Sequence, residues 1–390
     1  MQETTADRVV PPPHYDRPVE PFWLADAAAP LPASRQLDGR ADVAIVGAGI
    51  TGCACARFLA EAGLRVRVHD ARTVASGASG RNGGFALRGG AARYDVARTS
   101  YGKEEARELW RRTGEALDRM EKLAGDELRR PGSLRLAADD EERDAIRAEY
   151  DALREDGFAA EWREELPPRL ARSFDGAIFH PRDGALQPAV FVGRLAAAAV
   201  EAGAEIVERR RVEALDALEA EQVVVATDGY GRGLIPELAD AIWPARGQVV
   251  ATKPLPERLF DYPHYARQGF DYWQQLPDGR LVLGGFRDFS IMSELTDVEE
   301  TTTVIQEALD SFLVELVGYA PEVTHRWAGI FGLTQDLLPL VGRVRDGVWI
   351  AAGYSGHGNV LGFLSGELVA SAILGAEDPL LSLFDPRRLV

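Results

Sequence analysis

A short segment of the chain has the residue types and spacing needed to bind a pyrophosphate. Gly47-Ala48-Gly49-Ile50-Thr51-Gly52 fits the pattern G-x-G-x-x-G. In this pattern the first glycine permits a tight turn, the second lets the pyrophosphate approach the backbone, and the third lets a helix pack on a strand. Asp70 follows at the end of the next predicted strand, where a carboxylate can accept hydrogen bonds from ribose hydroxyls. The segment predicts a dinucleotide site, and the acid disfavours the 2′-phosphate of NADP.

A βαβ unit must hold these residues in place. Ala41–Val46 is a short apolar run, typical of a buried parallel strand. Residues 47–62 predict a turn and a helix that Gly63 closes, and residues 64–69 predict a second strand. The strand, the helix, the second strand and the acid follow one another in the order and spacing of a dinucleotide-binding unit. The alternative interpretation is a glycine-rich turn in an unrelated α/β fold.

Apolar periodicity predicts further elements along the chain. Helices are expected over residues 103–123, 140–156, 190–202 and 298–317, strands at Glu205–Val207, 223–226 and Val348–Ala352, and a β-rich region over 247–285. Strands typical of a nucleotide fold lie toward both ends of the chain, which indicates that a second domain is inserted into the first. The predicted fold class is α/β, with a doubly wound dinucleotide-binding domain around a central parallel sheet and an inserted α+β substrate domain with a large β-sheet.

The predicted boundaries follow from this arrangement. Residues 1–40 are rich in proline and predict an extended arm, with Phe22-Trp23 as a candidate aromatic anchor. The dinucleotide-binding domain is discontinuous and takes residues 41–90, 165–240 and 325–380. The substrate domain takes residues 91–164 and 241–324.

Composition excludes several classes of function. The 390 residues carry 61 acidic and 44 basic side chains, a formal charge of -17, and a field of that sign disfavours nucleic-acid binding. No uncharged apolar stretch is long enough for a membrane span, and the first residues lack the pattern of a secretory signal, so a cytoplasmic location is predicted. Cys53 and Cys55 are predicted to be packing residues, and no metal site is expected from the cysteines or histidines.

Two more segments are rich in small residues. Ser76-Gly77-Ala78-Ser79-Gly80-Arg81-Asn82-Gly83-Gly84 suits a chain that lies close against a flat ring and its phosphates, with a flexible surface loop as the alternative. Gly353-Tyr354-Ser355-Gly356-His357-Gly358 lies between a predicted strand and helix. A helix N-terminus aimed at the N1 edge of a flavin would stabilise negative charge on the reduced ring. Both segments favour FAD over NAD.

With these motifs the chain resembles the superfamily of FAD-dependent amine and D-amino acid oxidases, over about residues 21–374. The resemblance rests on the glycine fingerprint, residues 78–84, the strand Val223-Val224-Val225-Ala226-Thr227, the segment Trp327-Ala328-Gly329 and residues 353–358. The loop and the last motif look closest to members of the gamma-glutamylputrescine oxidase type. The resemblance implies an FAD-binding domain with an inserted substrate domain, and removal of hydride from a carbon that bears an amine.

The resemblance also implies which residues hold FAD. They are expected in the motifs and beside them: Gly47, Ala48, Gly49, Ile50, Thr51, Gly52, Asp70, Ala71, Arg72, Ala78, Ser79, Arg81, Asn82, Gly83, Gly84, Val212, Ala226, Thr227, Gly353, Tyr354, Ser355, Gly356, His357, Gly358, Asn359 and Val360.

Three departures from the family pattern narrow the prediction. Gly329 stands where monomeric sarcosine oxidase tethers its flavin to a cysteine, so FAD is expected to be bound without a covalent link. Phe331 stands where glycine oxidase has the arginine that holds the substrate carboxylate. Asn359 and Val360 stand where sarcosine oxidase carries a basic residue after Ser-Gly-His-Gly.

Tyr272, His357 and Arg287 are the candidate catalytic residues. Tyr272 precedes the turn Pro277-Asp278-Gly279 and matches a substrate-facing tyrosine of glycine oxidase, although a tyrosine packed in the sheet is the plain alternative. His357 is expected more as a hydrogen-bonding residue than as a base. Arg287 is expected to pair with Asp288 or another acid, although Arg287 or Arg88 could instead hold a substrate carboxylate.

The expected partner is a small primary or secondary amine, with no carboxylate next to the reacting carbon, and oxygen or another electron acceptor reoxidises the flavin. The imine product would hydrolyse to an aldehyde or keto product. The alternatives are a D-amino acid or glycine oxidase or dehydrogenase, an oxidase of a modified tRNA base, and a flavin-binding protein without turnover.

Overall fold

The computed structural model of the protein describes residues 20–26 and 36–390, so most of the predicted arm over residues 1–40 lies outside the described residues. Within the arm, Phe22–Asp26 forms a short helix. Trp23 is 1% exposed, and its indole N–H donates to the carbonyl oxygen of Asn82 at 2.7 Å. The aromatic pair therefore anchors the arm against one of the predicted cofactor loops.

The strands are short and many. In chain order they are β1 (Ala41–Val46), β2 (Val66–His69), β3 (Phe85–Ala86), β4 (Leu128–Arg129), β5 (Ser133–Leu136), β6 (Glu161–Arg163), β7 (Ala177–His180), β8 (Gly184–Leu186), β9 (Glu205–Val207), β10 (Ala220–Val225), β11 (Trp243–Thr252), β12 (His264–Ala266), β13 (Asp271–Gln275), β14 (Leu281–Gly285), β15 (Val323–Leu333), β16 (Leu340–Arg345) and β17 (Val348–Ala352).

The α-helices include those predicted over residues 103–123, 140–156 and 190–202, and three that were not predicted, Phe22–Asp26, Tyr94–Ser100 and Pro379–Leu383. In chain order the α-helices are α1 (Phe22–Asp26), α2 (Ile50–Glu61), α3 (Tyr94–Ser100), α4 (Lys103–Ala124), α5 (Asp140–Glu155), α6 (Pro188–Glu201), α7 (Thr303–Val317), α8 (Gly358–Ile373) and α9 (Pro379–Leu383). The helix predicted over 298–317 begins only at Thr303. The backbone N–H of Thr302 donates to the side chain of Gln248 at 2.9 Å, and this contact fixes the residue before the helix in an extended conformation.

The first large sheet is the predicted nucleotide fold. Its strand order is β16-β17-β10-β1-β2-β9, with β1, β2, β9, β10 and β17 parallel and β16 antiparallel at the edge. Helices α2, α6 and α8 cover one face. The carboxyl ends of β1, β2, β10 and β17 meet at one edge of the sheet, which is where open α/β sheets bind ligands.

The second large sheet has the strand order β15-β11-β14-β13-β12-β5-β7-β6. Helix α7 packs on one face, where Leu309, Phe312 and Leu313 meet Trp273 and Leu283. The opposite face looks toward the first sheet. Two of its strands, β7 and β15, come from segments that the sequence analysis assigned to the dinucleotide-binding domain. The domain boundaries stay a prediction, but β7 and β15 pair with strands of the predicted substrate domain, which local periodicity does not reveal.

Two glycines hold the helix of the fingerprint close to its neighbours. A Cβ on Gly52 would overlap the carbonyl oxygen of Gly47 and lie 3.3 Å from Ile45, so the third fingerprint glycine has the packing role expected of it. On the other side, a Cβ on Gly366 of α8 would overlap the carbonyl oxygen of Thr51 and lie 3.0 Å from the Cβ of Ala54. The position of α2 is thus fixed from both sides.

This packing predicts opposite effects for two glycine substitutions in helices. Gly366→Ala should lower the free energy of unfolding by about 1–3 kcal/mol, because the added methyl group forces α8 away from α2. Gly193→Ala is the matched control, since in the described structure a Cβ there meets nothing within 4 Å. It should raise the free energy of unfolding by about 0.5–1 kcal/mol through helix propensity. Thermal and urea unfolding measure both, and equal changes of the same sign would contradict this packing.

Candidate active site

A cavity of about 1120 Å³ runs from the carboxyl edge of the first sheet to the inner face of the second. Pockets of roughly 300–1,000 Å³ hold a drug-sized ligand, so this cavity has room for a dinucleotide and a small second molecule. Its walls include residues from all three glycine-rich segments that the sequence analysis singled out. The structure therefore brings together motifs that lie hundreds of residues apart in the chain.

The fingerprint and Asp70 form one end of the cavity. Gly47 has φ 108°, and a Cβ there would lie 2.6 Å from the carbonyl oxygen of Ala226, so only glycine fits the turn. The carboxylate of Asp70 accepts the backbone N–H groups of Ala48 and Arg72, each at 2.8 Å. Asp70 thus braces the turn, and each of its oxygens keeps further acceptor capacity toward the cavity.

The loop of residues 76–84 crosses the N-terminus of α2. The hydroxyl of Ser79 accepts the backbone N–H of Ile50 at 2.9 Å, and a Cβ on Gly49 would lie 2.9 Å from that hydroxyl. Backbone N–H groups at a helix N-terminus favour an anion, and the missing side chain of Gly49 leaves the approach open. The residues present therefore fit the pyrophosphate of a dinucleotide.

The turn of residues 353–358 forms the opposite wall and touches the same loop. Gly353, Ser355 and Gly356 all have positive φ, so the backbone doubles back sharply before α8 begins. The side-chain amides of Asn82 and Asn359 donate to each other at 3.1 and 3.0 Å. Two motifs predicted separately to hold FAD are thus bonded directly.

Asp228, which the sequence analysis missed, connects this turn to the second sheet. Its carboxylate accepts the backbone N–H of Gly353 at 2.8 Å and that of Gly332 at 3.0 Å. Burial raises the pKa of Asp228, and the N–H groups around it oppose that rise. The only local signal was an acid and a glycine directly after a predicted strand, and nothing in the sequence indicates the distant N–H groups.

A cluster of charges joins the loop before α7 to the cofactor loops. Glu299 forms an ion pair with Arg72 at 2.6 Å, lies 3.4 Å from Arg81, and accepts a hydrogen bond from Tyr230. The hydroxyl of Tyr230 also accepts the backbone N–H of Ile330 at 3.2 Å. Glu299 and Tyr230 line the cavity, although neither was predicted. The cluster ties the substrate domain to both cofactor loops.

The inner face of the second sheet gives the cavity an aromatic compartment. The ring of Tyr272 lies against Gly83 and makes an edge contact with Phe85 at 5.8 Å. Burial raises the pKa of Tyr272 to about 12. Tyr265 lies opposite Tyr272 in the register of β12 and β13 and also lines the cavity. Tyr272 lines the cavity, and its role toward a substrate stays a prediction. Tyr265 was missed because the strand that carries it has only three residues.

His357 lines the cavity at the start of α8. Burial lowers the pKa of His357 to about 4, with a smaller contribution from the Arg135 guanidinium. The imidazole is therefore neutral at neutral pH and is a weak base. The interpretation of His357 as a hydrogen-bonding residue stays a prediction, since its Nδ1 atom has no hydrogen-bond partner among the described residues.

Of the two arginines proposed to bind a substrate carboxylate, only one lines the cavity. Arg88 is buried, forms an ion pair with Asp183 at 3.0 Å and does not line the cavity, so the alternative that named it is wrong. Arg287 lines the cavity, half-buried. The expected pairing of Arg287 with Asp288 is also wrong, because Asp288 pairs with Arg267 at 3.0 Å.

Most of the residues predicted to hold FAD line the cavity, and four do not: Ala48, Gly52, Gly84 and Gly353. These four support the wall from behind. Gly84 donates its N–H to Asn82 at 2.8 Å, and the roles of Ala48, Gly52 and Gly353 are given above. Within the described residues, no group of three or more His, Cys, Asp or Glu side chains is placed to hold a metal ion.

Parallel strands and a glycine turn at a helix N-terminus define a dinucleotide-binding domain, and an aromatic compartment adjoins it. The chain belongs to the DAO family, described as FAD dependent oxidoreductase, which matches residues 42–372. The protein is therefore an FAD-dependent oxidoreductase. In the described part of the chain, no helix has the length and apolar character needed to cross a membrane.

Similar proteins agree with this assignment. The chain is 29% identical over 370 residues to gamma-glutamylputrescine oxidoreductase of Escherichia coli (strain K12), covering 86% of this chain and 84% of that protein. It is 28% identical over 365 residues to glycine oxidase of Geobacillus kaustophilus (strain HTA426), covering 86% and 93%. The crystal structure of glycine oxidase from Geobacillus kaustophilus has a TM-score of 0.75 at 26% identity, covering 90% of this chain and all of that one.

Substitution of Asp228 tests the connection between the two sheets. Asp228→Asn replaces one acceptor oxygen by an amide that donates, so one backbone N–H loses its partner. We expect a loss of about 1–3 kcal/mol in the free energy of unfolding and a lower FAD content. Asp240→Asn, at an exposed carboxylate, is the control and should change neither quantity. A stable Asp228→Asn variant with full FAD content would contradict the role of this carboxylate.

The positions of the cysteines indicate that FAD is bound without a covalent link. Cys53 and Cys55 are buried in α2 and do not line the cavity, and Gly329 packs against Arg81. Denaturation of the holoprotein with acid should therefore release all of the flavin into the supernatant, measured by its absorbance after centrifugation. Colour retained in the washed pellet would show a covalent link.

Proposed function

We propose that the protein oxidises a primary or secondary amine at the carbon next to the nitrogen. Bound FAD supplies the two-electron acceptor for this step. The observation that carries the proposal is the continuity of the cavity, which leads from the fingerprint to the compartment formed by Tyr265, Tyr272 and Phe331. A cofactor held by the glycine-rich segments and a substrate held by the aromatic residues would meet without crossing solvent.

The residues of the compartment position the amine and exclude water. In a neutral amine, the carbon next to nitrogen loses a hydrogen as hydride, and the lone pair of the nitrogen completes the C=N bond. Water then adds to the imine and releases a carbonyl product and the amine or ammonia. With pKa values of about 4 for His357 and about 12 for Tyr272, neither side chain exchanges a proton readily at neutral pH. The substrate therefore has to bind as the free amine or lose its proton to solvent.

The wall formed by β15 favours an amine without an adjacent carboxylate. Phe331 and the hydroxyl of Tyr272 flank Gly247, where a Cβ would lie 3.6 and 3.7 Å from them. The nearby cation, Arg81, donates to the carbonyl oxygens of Ser76 and Ala328 at 2.8 and 3.0 Å. A carboxylate on a carbon that reacts beside the loop of residues 76–84 would find these Arg81 donors already engaged, and leaving it unpaired would cost on the order of several kcal/mol.

Oxidation of an α-amino acid is the second candidate. The similarity to a protein named glycine oxidase favours it, and the similarity to a protein named for gamma-glutamylputrescine favours the amine. The two differ in whether the substrate needs a carboxylate on the reacting carbon.

Anaerobic mixing of the holoenzyme with matched substrates distinguishes these candidates. Butylamine and N-methylbutylamine should bleach the flavin absorbance. For these two amines the ratio of reduction rate to dissociation constant should be on the order of a thousandfold higher than for glycine and D-alanine. The rate should rise with pH as the amine loses its proton. It should show no inflection from His357 between pH 5 and 9, because the pKa of His357 lies below that range.

Two results would overturn the proposal. Faster bleaching by glycine or D-alanine than by either alkylamine would establish the amino acid candidate. Bleaching by none of the four compounds, in a holoenzyme that dithionite reduces, would show that the substrate is not an amine of this kind.

A further inference from the structure

Arg287 is a cation on the cavity wall whose neighbouring acids serve other arginines. Asp288 pairs with Arg267 at 3.0 Å. Glu294 is 1% exposed and binds Arg246 through two hydrogen bonds of 2.8 Å. Among the described residues, Arg287 forms no hydrogen bond or ion pair.

Two aromatic rings hold the guanidinium of Arg287 in place. Its Cζ lies 5.1 Å from the ring centre of Phe270 and 5.8 Å from that of Phe331. Such contacts stabilise a cation by about 0.5–1 kcal/mol and fix its plane. They use none of its five N–H donors, which need acceptors when the group is withdrawn from water. The side chain is half-buried and faces the cavity, so a ligand in the cavity can supply these acceptors.

The position of Arg287 along the wall indicates how far a bound anion lies from the cofactor loops. A Cβ on Gly329 would lie 2.7 Å from the Cβ of Arg81, so this point of β15 abuts the loop of residues 76–84. Phe331 follows two residues later on the same face, roughly 7 Å along the strand at about 3.3 Å per residue. Of these two positions on β15, Phe331 is the one whose ring contacts the Arg287 guanidinium, with Cζ 5.8 Å from the ring centre. If the substrate reacts beside Gly329, several bonds must separate its reacting carbon from an anion that binds Arg287.

We propose that Arg287 determines specificity by binding a carboxylate at the far end of an aliphatic amine. The inference rests on the proposed amine oxidation and names its substrate class. Several methylene groups separate the carboxylate from the reacting carbon and lie against Phe270, Phe331 and Tyr272. The carboxylate is unchanged by the reaction, which breaks the C–H bond at the amine end and forms the C=N bond there, with FAD as the oxidant. A planar guanidinium suits this role, because it can bind both oxygens of a carboxylate.

The experiment compares two homologous series in anaerobic flavin reduction by the holoenzyme. One series is 4-aminobutyrate, 5-aminovalerate and 6-aminohexanoate, and the other is propylamine, butylamine and pentylamine. The wild-type ratio of reduction rate to dissociation constant should favour the carboxylate series by at least tenfold at its best length. Arg287→Met should reduce the ratio between the two series to about one, whatever its effect on either series alone, and Arg287→Lys should retain part of the advantage. Arg343→Met, at an exposed arginine outside the cavity, has the same charge change and should keep the full advantage.

Two outcomes would overturn the assignment of Arg287. One is a wild-type enzyme that reacts equally with both series, and the other is an advantage that survives in Arg287→Met. A binding measurement separates this failure from failure of the proposed function. If no amine reduces the flavin, calorimetric titration with hexanoate and hexanamide still reports on Arg287. Tighter binding of hexanoate to wild type than to Arg287→Met would support the carboxylate site, and equal binding would refute it.

Discussion

The carboxylate of Asp228 is the interaction on which the site depends. It follows β10 and accepts N–H groups from β15, in the second sheet, and from the turn after β17, in the first. The carboxyl ends of parallel strands meet at one edge by geometry alone, but nothing in that geometry places the second sheet against them. A buried carboxylate without donors is costly, so the two sheets must stay together for Asp228 to remain satisfied. The cavity lies between the two sheets that this carboxylate joins.

Ion pairs around the cavity also join separate elements of the fold, as the Asp228 carboxylate does. Glu294 neutralises Arg246, Asp271 and Asp288 neutralise Arg267, and Glu299 neutralises Arg72. Each pair ties a loop to a neighbouring element of the fold. Because these acids have partners of their own, the cation of Arg287 remains open to a substrate. The arrangement of structural ion pairs therefore determines which charge can act in recognition.

Local sequence was enough to predict the βαβ unit, the hairpin that carries Tyr272 and the three glycine-rich segments, because each depends on residues close together in the chain. Tyr265, Asp228 and Glu299 were missed, since their roles arise from partners more than 30 residues away or from a strand of three residues. The place of β7 and β15 in the second sheet was missed for the same reason. Arg88 and Arg287 look alike in the sequence, and only the buried partner Asp183 distinguishes them.

The central claim is that cofactor and substrate share the cavity between the two sheets. A crystal structure of the FAD-bound protein tests it most directly. The account predicts the pyrophosphate at the N–H groups of the Gly47–Ile50 turn and the flavin ring between the loop of residues 78–84 and the turn of residues 353–358. One face of the ring should be open toward Tyr272. A flavin ring turned away from the second sheet, with the aromatic compartment out of its reach, would contradict the account.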